Sequence, residues 1–217
     1  ELPDLRAAAL AGLRQILGEH DYDSTRTLLE LFQNAEDAYR EARELDLEAP
    51  GQFDVALVNG ALHVRHFGRP IGRFRKGDKA RPEYQMDLAR MCELLDTGKT
   101  RTQEQQGGLW GHFGLGFKSV YFLTDEPFIV SARRSYKVLG GVWPVLALET
   151  PEWPQGGGDP GPSETRFRLP LRAGVNTGAL LAGLRTFLSG LLLGAEHISE
   201  VTLNGGSFHR PTEADGI

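Results

Sequence analysis

Gly107-Gly-Leu-Trp-Gly-His-Phe-Gly-Leu-Gly-Phe-Lys-Ser-Val-Tyr121 is the stretch on which the reading of this chain turns. Glycine stands at 107, 108, 111, 114 and 116, and an apolar segment over 117–123 follows at once. The spacing predicts a flexible loop that feeds a helix N-terminus. Glycine lets backbone approach a ligand closely, and the unpaired N–H groups of a helix start attract phosphate. A glycine-rich loop alone says little, because most such loops only connect elements. Its meaning depends on the flanking segments.

Upstream, Gly98-Lys99-Thr100 invites comparison with a P-loop and fails it. That motif needs a glycine five residues before Gly98, where Glu93 stands, and a preceding strand, where residues 84–95 read as a helix. Further upstream, residues 24–45 read as a helix with Ser24 as N-cap. Leu28, Leu31, Phe32, Ala35, Tyr39 and Ala42 form its apolar stripe, with Glu30, Asn34 and Asp37 together on the opposite side. A solvated outer face explains that pattern. So does a cleft in which a carboxylate orients water and an amide oxygen holds Mg²⁺.

Around these segments the chain alternates helices and strands. Residues 5–17 make a short amphipathic helix ended by Gly18, and 53–58 with 62–66 make a hairpin across Asn59-Gly60. Residues 67–72 are a loop of turn-formers, and 73–81 is a basic, irregular segment that reads as a solvated mobile loop in preference to a nucleic-acid patch. Strands are expected at 128–132, 140–149, 165–171 and 198–203, the last being final, and a helix at 179–193. Four prolines and four glycines make 151–162 an exposed or disordered loop. The order predicts an α+β fold.

Composition narrows the classes. The 217 residues, 40% hydrophobic and 24% charged, are those of an ordinary globular protein, and the net charge of −5 disfavours a sequence-independent grip on nucleic acid. Cys92 is the single cysteine, so no internal disulfide and no thiolate cluster forms; a reducing, cytoplasmic setting is expected. No apolar run approaches the roughly 18 residues of a span, so no membrane partner is expected. The first residue is not methionine and the end falls on no obvious element, which leads to the expectation of one domain, 1–217, from the N-terminal region of a longer multidomain protein.

Two phrases together resemble a known family. Glu30-Leu-Phe-Gln-Asn34-Ala-Glu-Asp37-Ala38 resembles the E-x-x-x-N-x-x-D-A box of the GHKL ATPases, which include gyrase, the ninety-kilodalton heat-shock chaperone, histidine kinases and MutL. Gly111-His-Phe-Gly114-Leu115-Gly116-Phe117 resembles their glycine lid box. The phrases Phe117-Lys-Ser-Val-Tyr-Phe-Leu-Thr-Asp-Glu-Pro-Phe-Ile-Val-Ser131 and Thr165-Arg-Phe-Arg-Leu-Pro-Leu171 look most like the N-terminal ATP-binding region of sacsin and its bacterial relatives. The likeness runs from about residue 24 to 203.

The resemblance implies a Bergerat-type two-layer sandwich, a mixed sheet with helices on one face and a glycine-rich ATP lid, holding ATP with Mg²⁺. It makes Glu30 the general base for water attacking the γ-phosphate, Asn34 the metal ligand, and Asp37 a residue that stabilises the pocket or reaches the nucleotide. Gly111, Gly114, Leu115, Gly116 and Phe117 would bring backbone N–H groups to the phosphates, and Lys118 added charge. Lys99 would belong to the lid or be a solvated loop lysine. Thr165 would sit near the adenine, although Glu164 stands where the family has glycine.

One departure is plain. After the first hairpin the family has D-x-G-x-G, its aspartate accepting from the adenine amino group; this chain has His66-Phe67-Gly68-Arg69-Pro70. A neutral imidazole can accept one hydrogen bond and an imidazolium none. Either His66 does the aspartate's work while neutral, or backbone and water read the base with altered choice, or binding is weakened; the persistence of Glu30 and Asn34 favours the first two.

The function implied is Mg²⁺-dependent ATP binding and slow hydrolysis coupled to lid closure in a larger chaperone-like, defence or signalling protein. The alternative is a non-catalytic nucleotide-sensing or protein-interaction domain. ATP and ADP, further domains of the same polypeptide and protein partners are the expected ligands, with ATP-dependent dimerisation among the implied behaviours and nucleic acid not expected.

Overall fold

A computed structural model describes residues 2–19, 24–72, 75–76, 79–80, 87–92, 116–150, 153–154, 161 and 163–211. The protein is α+β, with an eight-strand mixed open sheet and several helices. Strands β1 (Gln52–Val58), β2 (Ala61–His66), β5 (Phe128–Ser131), β6 (Arg134–Leu139), β7 (Trp143–Leu146), β8 (Thr165–Pro170), β9 (Glu200–Leu203) and β10 (Gly206–His209) form the sheet in the order β10-β9-β1-β2-β8-β5-β6-β7. β1 and β9 run parallel; the other pairs are antiparallel. A separate two-residue hairpin pairs β3 (Arg75–Lys76) with β4 (Lys79–Ala80).

The helices are α1 (Leu2–Glu19), α2 (Ser24–Glu44), α3 (Asp87–Cys92) and α4 (Thr177–Gly194), with a 3₁₀ helix over Phe117–Phe122. The predicted stripe of α2 is the buried one: Leu28, Leu31, Phe32, Ala35, Tyr39 and Ala42 are all enclosed. On the sheet, Phe53, Val55, Leu62, Val64, Phe167, Leu169 and Ile129 alternate along their strands and share one core with that stripe. α4 contributes Leu180, Leu184, Leu188 and Leu192, one residue per turn. Burying each leucine contributes about 1.5–3 kcal/mol, against at most about 0.7 kcal/mol of intrinsic helix preference per ordinary residue, so packing decides where α4 sits.

Hydrogen bonds pin α2 at two points. The Tyr39 hydroxyl donates to the carbonyl of Gln52 at 2.6 Å and accepts the N–H groups of Gln52 and Phe67. Burial pushes its pKa up to about 12, so it remains a donor at all ordinary pH. The Glu36 carboxylate accepts the backbone N–H groups of Glu196, His197 and Ile198, which fastens the α4–β9 connection to α2.

Several expectations need correction. α1 runs from Leu2 through Gly18 to Glu19, because a glycine in a helix costs only about 1 kcal/mol and this one stands in the last turn. Asp87–Cys92 is helical as expected, the rest of 84–95 lying outside the described residues, whereas the basic segment holds the β3–β4 hairpin rather than wholly irregular chain. The segment after the glycine stretch is 3₁₀, with Phe117 through Tyr121 buried. β6 went unpredicted because Ala132 and Arg133 make its turn at φ 51° and 64°, where turn formers are expected. The strand predicted at 140–149 is confined to Trp143–Leu146, and Glu200–Leu203 is not the last strand. Asn204 and Gly205, at φ 49° and 86°, turn the chain back into β10. Trp153, placed in an exposed loop, is 4% exposed and sits edge-on to His63 beneath the Arg65 guanidinium. α4, 18 residues with mean hydropathy 1.4, does meet the length and apolarity of a span, although its leucine row lies in the core.

Replacing Glu36 with alanine strands three backbone N–H groups and is expected to destabilise the fold by on the order of 2 kcal/mol, with Glu36→Gln losing less. Urea denaturation reads the difference, and an alanine variant as stable as the parent would remove Glu36 from this role.

Candidate functional site

His66 ends β2, and its ring lies on the side of the sheet that faces α2, 6.2 Å from the ring of Tyr39. Its cross-strand neighbour is Thr165 in β8, whose own neighbour is Ser131 in β5, so the three residues form a polar row across the sheet. Thr165 Oγ1 and Ser131 Oγ are 2.7 Å apart, and Ser131 Oγ accepts the N–H of Ile71 at 2.8 Å. All three side chains are buried. Burial, with Arg69 adding a second positive charge nearby, lowers the His66 pKa to about 4 and keeps the ring neutral. Its Nδ1 accepts the N–H of Gly68 at 3.3 Å.

Residues 67–72 carry the chain from β2 across α2. A Cβ at Gly68 would lie 2.7–2.8 Å from Ala38 backbone and side chain, so this position admits only glycine, through proximity to the helix. The next N–H, of Arg69, donates to the Ala38 carbonyl at 2.8 Å. The buried Arg69 guanidinium then donates to Glu41 at 2.6 Å, to Asp87 at 2.7 Å and to the Pro70 carbonyl, linking the loop to α2 and α3. Asp87 also accepts the N–H of Gly72.

At the other end of α2, Thr27 donates to the carbonyl of Ser119 at 2.8 Å, which draws the 3₁₀ helix against the first turns of α2. Gly116 lies directly against Glu30: a Cβ there would be 2.7 Å from the carboxylate oxygen Oε2. Glu30 is mostly enclosed, its side chain 14% exposed, with the Arg26 guanidinium 3.9 Å away. Asn34, one turn on, is exposed, and Asp37 is exposed and paired with Arg40 at 2.6 Å. Phe117 packs in the core with its ring 6.0 Å from that of Phe167, which lies 6.3 Å from His66.

The structure thus brings together Glu30 and Gly116 at one end, and His66, Gly68 and Thr165 at the other. Asn34 and Asp37 lie along the same helix. Lys118 is directed elsewhere: it is buried, and its ammonium donates to the carbonyls of Met91 at 2.7 Å and Gly141 at 2.8 Å, tying α3 to the β6–β7 turn. Lys99, Gly111, Gly114 and Leu115 lie outside the described residues. Sequence reasoning missed Ser131, Arg69 and Asp87. Ser131 was visible only through register, as the residue opposite Thr165, and a buried arginine clamp has no local signature. Among the described residues no group of three or more His, Cys, Asp or Glu side chains could hold a metal. No protein-family model matches the sequence, and no curated protein matches it either.

Two outcomes follow for stability. Gly68→Ala is expected to destabilise the fold by on the order of 2–3 kcal/mol, because the obstruction is helix backbone. His66 and His63 are both held neutral, with pKa values lowered to about 4 by burial, His63 also by Arg168. The unfolded chain therefore takes up protons that the fold refuses between pH 6.5 and 4, so stability is full above that window and falls as pH drops through it. Each histidine accounts for up to about 3 kcal/mol of the loss. Urea midpoints at pH 7 and 4.5 measure it; His66→Asn should flatten the slope, and a flat profile in the parent would refute the assignment.

Proposed function

We propose that this chain is a GHKL-type ATP-binding domain, with the Bergerat two-layer arrangement, that binds ATP with Mg²⁺ and hydrolyses it slowly as its glycine-rich lid closes. The observation that carries the reading is the contact between Glu30 and Gly116. Two segments far apart in the sequence, each resembling one of the family's boxes, meet in space with the carboxylate against the lid glycine. The row of His66, Thr165 and Ser131 beneath the same helix supplies a polar floor at the other end, as a bound purine requires.

In this reading Glu30 takes the proton of the water that attacks the γ-phosphorus, while the bond to the β–γ bridging oxygen breaks. Its partial burial and its place beside the phosphate-binding glycines suit that role. Asn34 lends its amide oxygen to the metal. Mg²⁺ commonly takes one or two protein ligands and fills the rest of its shell with phosphate oxygens and water, so one amide oxygen is a sufficient protein contribution. Bound there, the metal supplies charge neutralisation to the phosphates. Backbone N–H groups of Gly114, Leu115, Gly116 and Phe117, with Gly111 and Lys99 in the lid, complete the phosphate grip, and Asp37 supports the pocket along the same helix. Lys118 joins the 3₁₀ helix to α3 and to the β6–β7 turn through its two carbonyl contacts. The wider protein is a chaperone-like, defence or signalling assembly in which lid closure is the working stroke.

Glu30→Ala is expected to lower Mg²⁺-dependent phosphate release at least about 100-fold while nucleotide affinity stays within about threefold, since general-base catalysis contributes roughly 10²–10⁴. Asn34→Ala should lose the Mg²⁺-dependent part of binding. Turnover in Glu30→Ala equal to the parent would assign the base elsewhere; tight binding without turnover in the parent would make this a nucleotide sensor.

A further inference from the structure

His66 has one hydrogen-bond acceptor, and the fold uses it. A neutral imidazole carries one bare and one protonated nitrogen. Nδ1 accepts the Gly68 N–H at 3.3 Å, so the proton resides on Nε2. Nothing among the described residues hydrogen-bonds Nε2. Nε2–H is therefore a donor without a hydrogen-bond partner among the described residues, on a side chain that is 4% exposed.

Its neighbours in the row add to this polarity. Thr165 and Ser131 share one hydroxyl proton across their 2.7 Å contact, and Ser131 also accepts from Ile71. Whichever hydroxyl donates in that contact, the other retains its proton. The row therefore holds an imidazole N–H at position 66 with a further buried O–H behind it, where an aspartate at position 66 would hold only acceptors.

We propose that the His66 row selects a base bearing a carbonyl where adenine bears its amino group, so that the site takes 6-oxopurine nucleotides, guanine or hypoxanthine, ahead of adenine nucleotides. This deepens the reading of the chain as a nucleotide-binding domain and rests on it, with the base lying over His66. An adenine amino group opposite Nε2–H would set donor against donor and leave both unpaired. A carbonyl there accepts from Nε2–H, and the Gly68 bond holds the imidazole in the required tautomer.

Isothermal titration of the 217-residue chain with ATP, ITP and GTP in Mg²⁺ tests this, because ITP and ATP differ at the 6-position and the adjoining N1 proton alone. ITP and GTP are expected to bind at least about tenfold more tightly than ATP, the range for one unsatisfied polar pair. His66→Asp should invert that order, and His66→Asn, which offers both donor and acceptor, should bring the three within about threefold. ¹⁵N chemical shifts of His66 should report the proton on Nε2. Binding in which ATP equals or exceeds ITP, or a proton found on Nδ1, overturns this inference and leaves the nucleotide-binding reading standing. No binding by any of the three at millimolar concentration overturns that reading, and this inference with it.

Discussion

The close passage of residues 67–72 over α2 is the constraint on which the rest of the site depends. At Gly68 the loop backbone lies where any side chain would strike Ala38, and the Arg69 N–H bonds the Ala38 carbonyl in the next step. A loop so close cannot shift without breaking the Arg69 contacts to Glu41 and Asp87, where losing one partner would leave a buried charge uncompensated. The consequence for chemistry is positional. The same loop delivers the Gly68 N–H to His66 and the Ile71 N–H to Ser131, so its docking on α2 sets the polarity of the row on the sheet.

The two sides of the sheet hold different kinds of interaction. Toward α2 the strands present apolar side chains, interrupted by the His66 row. On the reverse side Asp54 pairs with Arg65 at 2.8 Å and accepts from Thr202 at 2.7 Å, while Arg166 binds Glu164 at 2.6 Å. Arg65 is held between the rings of Phe67 and Trp153. The charges on this side are largely buried, which their mutual pairing and the flat guanidinium stacking allow. Glu164 thus has a partner of its own in the strand that carries Thr165, on the side of the sheet away from His66.

Much of this was legible in the residues. The stripe of α2 was readable because 3.6-residue periodicity and burial are one fact seen twice, and the β1–β2 hairpin because Asn59 and Gly60 suit its left-handed turn. β6 was not legible, since Ala132 and Arg133 adopt the same turn conformation against their own preference and are held there by β5–β6 pairing. Trp153 lies in a segment whose prolines and glycines signal a loop, and such a signal carries no information on whether one aromatic in it packs down on the sheet.

Composition and local pattern settled that this chain is α+β, that α2 carries Glu30, Asn34 and Asp37 on the side away from its apolar stripe, and that a histidine occupies position 66. These follow from periodicity and residue type, which are properties of neighbours along the chain. What Glu30 touches, where the Lys118 ammonium goes, and which nitrogen of His66 is already engaged were decided by segments that meet from opposite ends of the sequence. Hydrogen-bond direction is a property of pairs in space. A sequence names the donors and acceptors, and the fold chooses which of them are used up.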